Sequence, residues 1–512
     1  MSNYDITAAL TYHEATNHTL QRLSQNSHVL DPSNRPLPYK IYSSLEPLPL
    51  PKDLPAHPLS AMVALASHAV PPVGEQIPNR EDLARLCLYS NGVTKVLSFS
   101  GREFPMRAAA CTGALFHIEL YLVCGELADL AAGVYHYSAH DHALRLLRAG
   151  DFRRVLVDAS ASEPAVASAP VIAISTSTFW RNAYKYRTRA YRHTFWDDGT
   201  ILANALALSK ELKLPVKIVL GFVDERVNAL LDIDGEHEAA VSLLALGHTE
   251  QTPTESPPLP PLAYPTEPLS QYEVAYPDIV TLHRQSSLET SQEVAEWRDQ
   301  PPPNLPTLPS STSNLVPLQP LPSQELPTDA LETVIRRRGS TRQFTHDPIT
   351  FTQLSTLLTH ALHTSPADSF DPSGAPMSTL YLIANAVEGL PVGTYVLHRQ
   401  HQALEQLKTG TFRNAAKYLA LGQDLGGDAA VNLYFLIDLE GMLARYSNRG
   451  YRVAQLESAI LAGNLYLASY ALSLGATGLT FFDNDVTEFF SPSGSGKSVM
   501  FLIAVGHRAR GE

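Results

Sequence analysis

The chain carries the same motifs twice, and this repetition constrains its fold more than any other feature. Arg189-Ala190-Tyr191-Arg192 recurs as Arg449-Gly450-Tyr451-Arg452, 260 positions later. After a one-residue slip, Phe222-Val223-Asp224 recurs as Phe481-Phe482-Asp483. Further pairs at the offset of 260 are Gly133-Val134-Tyr135 with Gly393-Thr394-Tyr395, Phe152-Arg153 with Phe412-Arg413, and Asn204 with Asn464. A constant offset over separate motifs indicates an internal duplication, so the fold must hold two similar units.

Composition divides the chain into four parts. Residues 1–78 are polar and then proline-rich, which predicts an N-terminal extension. Residues 79–250 and 328–512 carry the repeated motifs and predict two compact domains. Residues 251–327 hold nearly half of the 38 prolines, which predicts a proline-rich linker that is helical in part between Tyr276 and Trp297.

Composition also limits the functional classes. The net charge of -13 at pH 7 argues against nucleic acid or an anionic membrane as the main partner. Cys87, Cys111 and Cys124 have no C-x-x-C spacing and the histidines show no metal-ligand spacing, so neither a disulfide framework nor a metal site is expected. The start of the chain lacks the features of a secretory signal, and no stretch is long and apolar enough to span a bilayer. We therefore expect a cytoplasmic protein.

A cluster of basic residues opens the second domain. Arg336, Arg337, Arg338 and Arg342 lie within seven positions, together with Ser340, and follow a predicted helix. The planar donors of arginine suit phosphate oxygens, and a multiply charged anion would offset the mutual repulsion of the cluster. An exposed basic turn is the alternative, because runs of charge are usually solvated.

The pattern Arg338-x-Ser340-x-Arg342-x-Phe344 resembles the opening motif of the nitroreductase superfamily. The resemblance implies an FMN cofactor, with Arg338, Ser340 and Arg342 holding its phosphate and ribityl part. Gly339 departs from the family pattern, which usually has a second Arg or His at this place.

Five further motifs carry a closer resemblance. They are Tyr12-His13-x-x-Thr16-x-His18, Lys185-Tyr186-x-x-Arg189-Ala190-Tyr191-Arg192, Arg445-Tyr446-x-x-Arg449-Gly450-Tyr451-Arg452, Val387-Glu388-Gly389-Leu390-Pro391 and Phe222-Val223-Asp224-Glu225-Arg226. With them, both halves resemble the SagB/ThcOx-type dehydrogenases, which oxidise azolines to azoles in modified peptides. The resemblance implies an α+β nitroreductase-like fold with a mixed, mainly antiparallel sheet flanked by helices, duplicated in tandem. The two copies would pair as an intramolecular pseudo-dimer with FMN at their interface.

The two halves differ in positive charge where the resemblance places the phosphate. The second half has the arginine cluster and ends in Val505-Gly506-His507-Arg508, so Arg508 is a further candidate phosphate ligand. The corresponding first-half stretch, Val70-Pro71-Pro72-Val73-Gly74-Glu75-Gln76, is proline-rich and acidic. A pseudo-dimer has two flavin positions in principle. Because a buried phosphate dianion without compensating charge is costly, we expect one FMN, anchored by the second half.

The complementary flavin contact is expected from a loop of the first half. Ala110-Cys111-Thr112-Gly113-Ala114-Leu115 aligns with the family's Pro-Ser-Ala-Gly-Ala-Leu. The alignment implies that Cys111, Thr112 and Gly113 approach the flavin ring, where small residues let backbone N–H groups come close. The second half's version, Pro372-Ser373-Gly374-Ala375, would face the degenerate site.

Two residue pairs are expected beside the reacting part of the flavin. The backbone N–H groups of Leu479 and Thr480 are candidates to bond flavin N5, with a plain strand end as the alternative. Lys185 and Tyr186 are the catalytic candidates, since a Lys-Tyr pair over the flavin is thought to transfer protons in azole-forming relatives. A lysine with a lowered pKa, or a tyrosinate near a cation, is able to take the proton that azoline oxidation releases. The second half has Arg445, which cannot readily lose a proton, and a solvated Lys185 is the alternative.

Three functions remain open from the sequence. The preferred one is an FMN-dependent oxidoreductase acting on azoline-like groups in a peptide. The second is an NAD(P)H-dependent, nitroreductase-like reductase of small electrophiles. The third is a flavin-free scaffold that binds a peptide, and further oligomerisation of the pseudo-dimer stays open in every case.

Overall fold

The computed structural model describes residues 3–25, 28–66, 69–99, 101–255, 257–300, 315–370 and 375–509. The strands of the first half are β1 Leu48–Pro49, β2 Val93–Phe99, β3 Arg102–Arg107, β4 Ile118–Cys124, β5 Gly133–Ser138, β6 Ala143–Ala149, β7 Val171–Thr178, β8 Val216–Val219 and β9 Glu238–Leu246. Those of the second half are β10 Leu315–Pro317, β11 Ile349–Thr350, β12 Thr379–Ala384, β13 Val387–Glu388, β14 Gly393–His398, β15 Ala403–Thr409, β16 Val431–Ile437, β17 Gly475–Leu479 and β18 Ser498–Gly506.

Helices surround these strands in both halves. Up to the linker they are α1 Thr7–Ala15, α2 Leu20–Ser24, α3 Ala61–Leu65, α4 Arg80–Asn91, α5 Arg153–Ala159, α6 Pro164–Ala167, α7 Phe179–Tyr186, α8 Ala190–Glu211 and α9 Asp224–Leu231. From the linker onward they are α10 Pro277–Gln285, α11 Ser291–Arg298, α12 Leu331–Arg337, α13 Phe351–His360, α14 Arg413–Leu419, α15 Asp424–Asp428, α16 Leu439–Tyr446, α17 Arg449–Ala471 and α18 Asp483–Phe489. Within the described ranges, no helix has both the length and the apolar character needed to cross a membrane.

The two halves share one sheet topology. The first sheet has the strand order β1-β6-β5-β4-β7-β9-β8, and the second has the order β10-β15-β14-β12-β16-β18-β17. Every recorded pairing within these two sheets is antiparallel. The apolar runs of β7 and β16 are buried on both faces, because each sheet is covered by helices. The predicted α+β fold with two similar halves is confirmed.

The long helices α8 and α17 cross at the centre of the molecule through two glycines. A Cβ added to Gly199 would lie 2.5 Å from the Cβ of Ala459, and one added to Gly463 would lie 2.5 Å from that of Ala203. Ala459 is the counterpart of Gly199 at the offset of 260, and Gly463 is the counterpart of Ala203. Residues that meet their own counterparts mark a two-fold axis, so the halves pair like the subunits of a symmetric dimer.

Buried ion pairs connect the halves in a reciprocal way. Arg192 of the first half contacts Asp483 of the second at 2.6 Å, and Arg452 of the second contacts Asp224 of the first at 2.7 Å. A second arginine, one turn earlier, joins each carboxylate. Burial opposes ionisation of Asp224, but the two arginines outweigh it and lower its pKa to about 2. The repeated Arg and Asp motifs of the sequence are therefore interface residues.

The segments predicted as an extension and a linker are packed against both halves where the structure describes them. Strand β1 of the extension pairs with β6 of the first sheet. In the linker, α10 and α11 bury Leu282, Val294 and Trp297. Ser286, which follows α10, accepts a hydrogen bond from Arg452 Nε at 2.8 Å. The sequence prediction did not anticipate that this linker forms part of the interface between the halves.

Candidate functional site

A cavity of about 340 Å³ lies between the two halves. The first half contributes the loop 110–113 and the C-terminal end of α7. The second half contributes the segment after α12 and the residues 477–480, where β17 ends. The volume is that of a small-molecule or cofactor site, and neither half forms this cavity alone.

Most of the residues predicted for the site meet in this cavity. Arg338 and Arg508 do not line it. The predicted residues that do are Cys111, Thr112, Gly113, Lys185, Tyr186, Ser340, Arg342, Leu479 and Thr480. The structure thus brings together residues up to 369 positions apart in sequence, while the role of each residue stays a prediction.

Arg338 is turned toward the first half. Its side chain is buried, and it donates from Nε to the carbonyl of Ala108 at 3.0 Å and from a terminal nitrogen to that of Arg107 at 3.2 Å. These carbonyls lie just before the loop 110–113. Arg338 therefore anchors the first-half loop against the second half, and its predicted contact with the FMN phosphate stays a prediction.

Lys95, on the β2–β3 hairpin of the first half, joins the basic cluster of the second. Its Nζ donates to the carbonyls of Arg337 at 3.1 Å and Arg338 at 3.0 Å. Burial lowers the pKa of Lys95, and the nearby charges of Arg338 and Arg508 lower it further. Sequence reasoning missed Lys95 because it belongs to no motif and reaches the cluster only through the pairing of the halves.

Asp197 on α8 holds the loop 110–113 in place. Its Oδ1 accepts from the backbone N–H of Thr112 at 2.8 Å and from the Thr112 hydroxyl at 2.7 Å, and its Oδ2 accepts from the Cys111 thiol at 3.0 Å. Gly113 has a φ of +66°, and a Cβ there would lie 2.8 Å from the Tyr186 hydroxyl oxygen. The loop therefore requires glycine at this position both for its backbone conformation and for the space beside Tyr186. No motif indicated Asp197.

Lys185 and Tyr186 are the last two residues of α7, and both line the cavity. Partial burial lowers the pKa of Lys185, and the charges of Arg35 and Arg342 lower it further, which eases the loss of its proton. Burial raises the pKa of Tyr186, with Asp197 adding to the shift, so the phenol keeps its proton. The tyrosinate alternative is thus disfavoured. Lys185 remains exposed while lining the cavity, which leaves the solvated alternative open.

The cleft related to this cavity by the two-fold axis is filled by the chain itself. Leu220 and Gly221, the counterparts of Leu479 and Thr480, donate their backbone N–H groups to the two carboxylate oxygens of Asp368 at 2.9 and 2.8 Å. The Asp368 side chain is fully buried. An internal carboxylate therefore occupies the backbone donors that correspond to those of Leu479 and Thr480.

Aromatic packing completes the filling of the second cleft. Tyr446, the counterpart of Tyr186, donates its hydroxyl hydrogen to the carbonyl of Ser369 at 2.6 Å. The ring of Trp297, from the linker, packs against Tyr446 with centroids 4.9 Å apart. The predicted loop Pro372-Ser373-Gly374-Ala375 lies outside the described residues, except for its last member. The two clefts thus differ in packing as well as in the positive charge that the sequence predicted: one is open, and the other is filled by the chain.

Known proteins share both the domain and the arrangement. Residues 335–507 match the model of the nitroreductase family. The chain contains a nitroreductase-family domain. The whole chain is also similar to the crystal structure of a candidate nitroreductase from Anabaena variabilis, with a TM-score of 0.79, 25% sequence identity, and coverage of 98% of this chain and 99% of that one. The predicted nitroreductase-like fold, duplicated in tandem, is therefore confirmed.

Two curated proteins are similar over part of the chain. The trifolitoxin-processing protein TfxB of Rhizobium leguminosarum bv. trifolii is 30% identical over 200 residues, which are 37% of this chain and 52% of that protein. The chain thus spans about half of the length of this relative. A candidate nitroreductase of Methanocaldococcus jannaschii is 26% identical over 163 residues, which are 31% of this chain and 82% of that protein. These similarities confirm the predicted resemblance to the nitroreductase superfamily and support an oxidoreductase.

The residues around the cavity fit the flavin that the nitroreductase resemblance implies. Thr480 Oγ1 and His193 Nε2 are buried polar atoms at residues that line the cavity, and neither has a hydrogen-bond partner within the described part of the chain. Such atoms cost free energy unless a ligand satisfies them, typically about 1–3 kcal/mol each. Arg342 and Ser340 add phosphate-binding groups to the same cavity. Together these groups suit an anionic ligand with polar ring atoms.

Proposed function

We propose that this chain is an FMN-dependent oxidoreductase that binds one FMN between its halves and oxidises azoline-like groups in a peptide. The observation that carries the proposal is the cavity in which Lys185 and Tyr186 of the first half face Ser340 and Arg342 of the second. The similarity to TfxB supports a modified-peptide substrate. The three unpaired cysteines support a cytoplasmic location.

In this proposal, second-half residues hold the phosphate, and a first-half cation adds positive charge behind them. Arg342 and Ser340 line the cavity, and Lys95 and Arg508 extend the positive charge behind them. Arg338 fixes the first-half loop through the carbonyls of Arg107 and Ala108. A phosphate dianion relieves the mutual repulsion of these cations, and charge-assisted hydrogen bonds orient it.

The flavin, when bound, supplies the acceptor for the hydride that azoline oxidation removes. The chain supplies the base. Lys185, in its unprotonated form, takes the accompanying proton at Nζ, and its lowered pKa increases the fraction in that form. Tyr186 stays a phenol and orients the substrate by donating a hydrogen bond. Asp197 keeps the loop 110–113 against the reacting groups through Thr112.

The alternative is an NAD(P)H-dependent reductase of small electrophiles. The similarity to the Methanocaldococcus jannaschii protein over 82% of that protein's length favours it. In this case the hydride would come from a nicotinamide cofactor instead of a peptide.

An anaerobic reduction experiment separates these functions. The purified chain, loaded with FMN, is mixed with a synthetic peptide carrying one thiazoline or with NADPH, and the flavin absorbance is followed. We expect the peptide to bleach the flavin and to gain a thiazole. Bleaching by NADPH alone would support the reductase, and a chain that binds no FMN would leave only the scaffold.

A further inference from the structure

His193 presents an unused acceptor beside the catalytic candidates. It lies on α8, is only 1% exposed, and lines the cavity. Its Nδ1 lies 2.8 Å from the Asn182 side-chain oxygen, and Asn182 points its amide nitrogen at the carbonyl of Thr112, 3.4 Å away. An amide held in this way offers its oxygen to the imidazole, so Nδ1 carries the hydrogen and Nε2 keeps a bare lone pair.

The surroundings keep the His193 ring neutral and fixed. It contacts Tyr186 edge-on, with centroids 4.6 Å apart, and packs against Trp196 at 4.8 Å. Burial lowers the pKa of His193 well below its ordinary value, and the nearby Arg189 and Arg192 lower it further. Nε2 has no hydrogen-bond partner in the described ranges. The buried, unprotonated Nε2 of this neutral ring is an unsatisfied acceptor, and a hydrogen bond from a donor would recover the free energy that its burial costs.

The second half does not keep this pair. The counterparts of His193 and Asn182 are Val453 and Met442, and both are buried apolar residues beside the filled cleft. The fold therefore does not need a polar pair between these helices. Of these two symmetry-related places, the polar pair occupies the one beside the open cavity. We infer that it serves ligand binding and is not needed for folding.

We propose that Nε2 of His193 accepts a hydrogen bond from an N–H or O–H group of the ligand in the cavity, and so selects ligands that present a donor there. The inference rests on the proposed site, since it needs a ligand in the same cavity. The donor belongs either to the flavin or to the substrate, and the two sources share the same chemistry. His193 is a specificity-determining residue in this account, distinct from the base Lys185.

Two variants of His193 separate the acceptor from the bulk of the ring. His193→Leu removes the acceptor, whereas His193→Gln places an amide oxygen near the position of Nε2. FMN affinity is measured by fluorescence titration of the flavin-free chain, and half-saturation by the thiazoline peptide is measured with the loaded chain. We expect His193→Leu to weaken one of these two by about tenfold and His193→Gln to restore most of it. Weaker FMN binding assigns the donor to the flavin, and weaker peptide binding assigns it to the substrate.

A spectroscopic readout tests the inference without turnover. In the flavin-free chain with ¹⁵N-labelled histidine, we expect His193 Nε2 to give the signal of an unprotonated nitrogen, which shifts when FMN or the peptide is added. Asn182→Leu removes the group that fixes the tautomer and should mix the two forms. A hydrogen on Nε2 in the wild-type chain, or a His193→Leu variant with both affinities within twofold of wild type, would overturn the proposal. A wild-type chain that binds no FMN would instead defeat the proposed function, while the tautomer remains measurable.

Discussion

At the scale of single residues, environment separates the roles of Lys185 and Tyr186. Burial lowers the pKa of the lysine and raises that of the tyrosine, so the amine gives up its proton more readily and the phenol stays a donor. We expect Lys185→Met to slow peptide oxidation by about 10²–10⁴-fold, the usual contribution of a general base. Because the base must be unprotonated, the wild-type rate should rise with pH through the lysine pKa and then level off.

The pH profile is the decisive readout for Lys185. In Lys185→Met the rate of peptide oxidation should no longer rise with pH. Lys185→Arg should be as slow as Lys185→Met, because arginine keeps the charge without releasing a proton. In Tyr186→Phe the rate should still rise with pH, but from a lower value. An unchanged rise of the rate with pH in Lys185→Met would show that another group is the base.

Arg342 and Arg338 belong to one motif but have different surroundings. Arg342 lines the cavity, whereas Arg338 bonds two first-half carbonyls. We expect Arg342→Ala to weaken FMN binding by about 10–100-fold, the worth of a charged hydrogen bond, with little change in melting temperature. Arg338→Ala should lower both FMN affinity and melting temperature, because it releases the loop. The exposed Arg336 provides the control, and Arg336→Ala should leave FMN affinity unchanged.

At the scale of elements, the loop 110–113 is shaped by Gly113. Gly113→Ala forces a side chain into positive φ, which costs about 1 kcal/mol, and also brings a Cβ against Tyr186. Gly74 has a φ of +61° and no heavy atom within 4 Å of a built Cβ, so Gly74→Ala carries the strain without the clash. Thermal melts and FMN titrations should show lowered stability in both variants and weakened FMN binding only in Gly113→Ala. Equal FMN affinity in the two would contradict the role of the loop.

The elements could be predicted from the sequence where the signal is local or repeated. The duplicated Arg and Asp motifs predicted the two halves. Contacts that form only when the halves pair could not be predicted. Lys95 reaches the arginine cluster, Asp368 fills the second cleft and Trp297 packs on Tyr446 across long sequence separations, and none belongs to a motif.

At the scale of the whole molecule, the reciprocal ion pairs hold the pseudo-dimer together. Removing one partner of a buried pair typically costs about 3–5 kcal/mol, so Asp483→Asn should lower the free energy of unfolding by that order. The half-buried Asp485 on the same helix is the control, since Asp485→Asn should change the free energy of unfolding by less than about 1 kcal/mol. Chemical denaturation measures both. Equal stability of the two variants would show that the pair contributes nothing.

The same pairs predict the response of the whole molecule to acid. The pKa of Asp224 is about 2 in the folded chain, below the ordinary 3.8, so its contribution is present above pH 4 and is lost as pH falls toward 2. Denaturation midpoints measured between these pH values should fall in the wild type. They should fall less steeply in Asp224→Asn, which has no carboxylate to protonate. Parallel pH dependence in both proteins would contradict this assignment.

The central claim is that one cavity, built from unequal halves, holds a single flavin. Its most direct test is the number of FMN molecules bound per chain, obtained by calorimetric titration of the flavin-free wild type, Arg342→Ala and Asp368→Ala. We expect one FMN in the wild type, weaker binding in Arg342→Ala, and still one FMN in Asp368→Ala, because removing the Asp368 carboxylate from the second cleft adds no phosphate-binding cations. Two FMN per wild-type chain, or a single FMN that binds wild type and Arg342→Ala with equal affinity, would contradict the proposal of one flavin site.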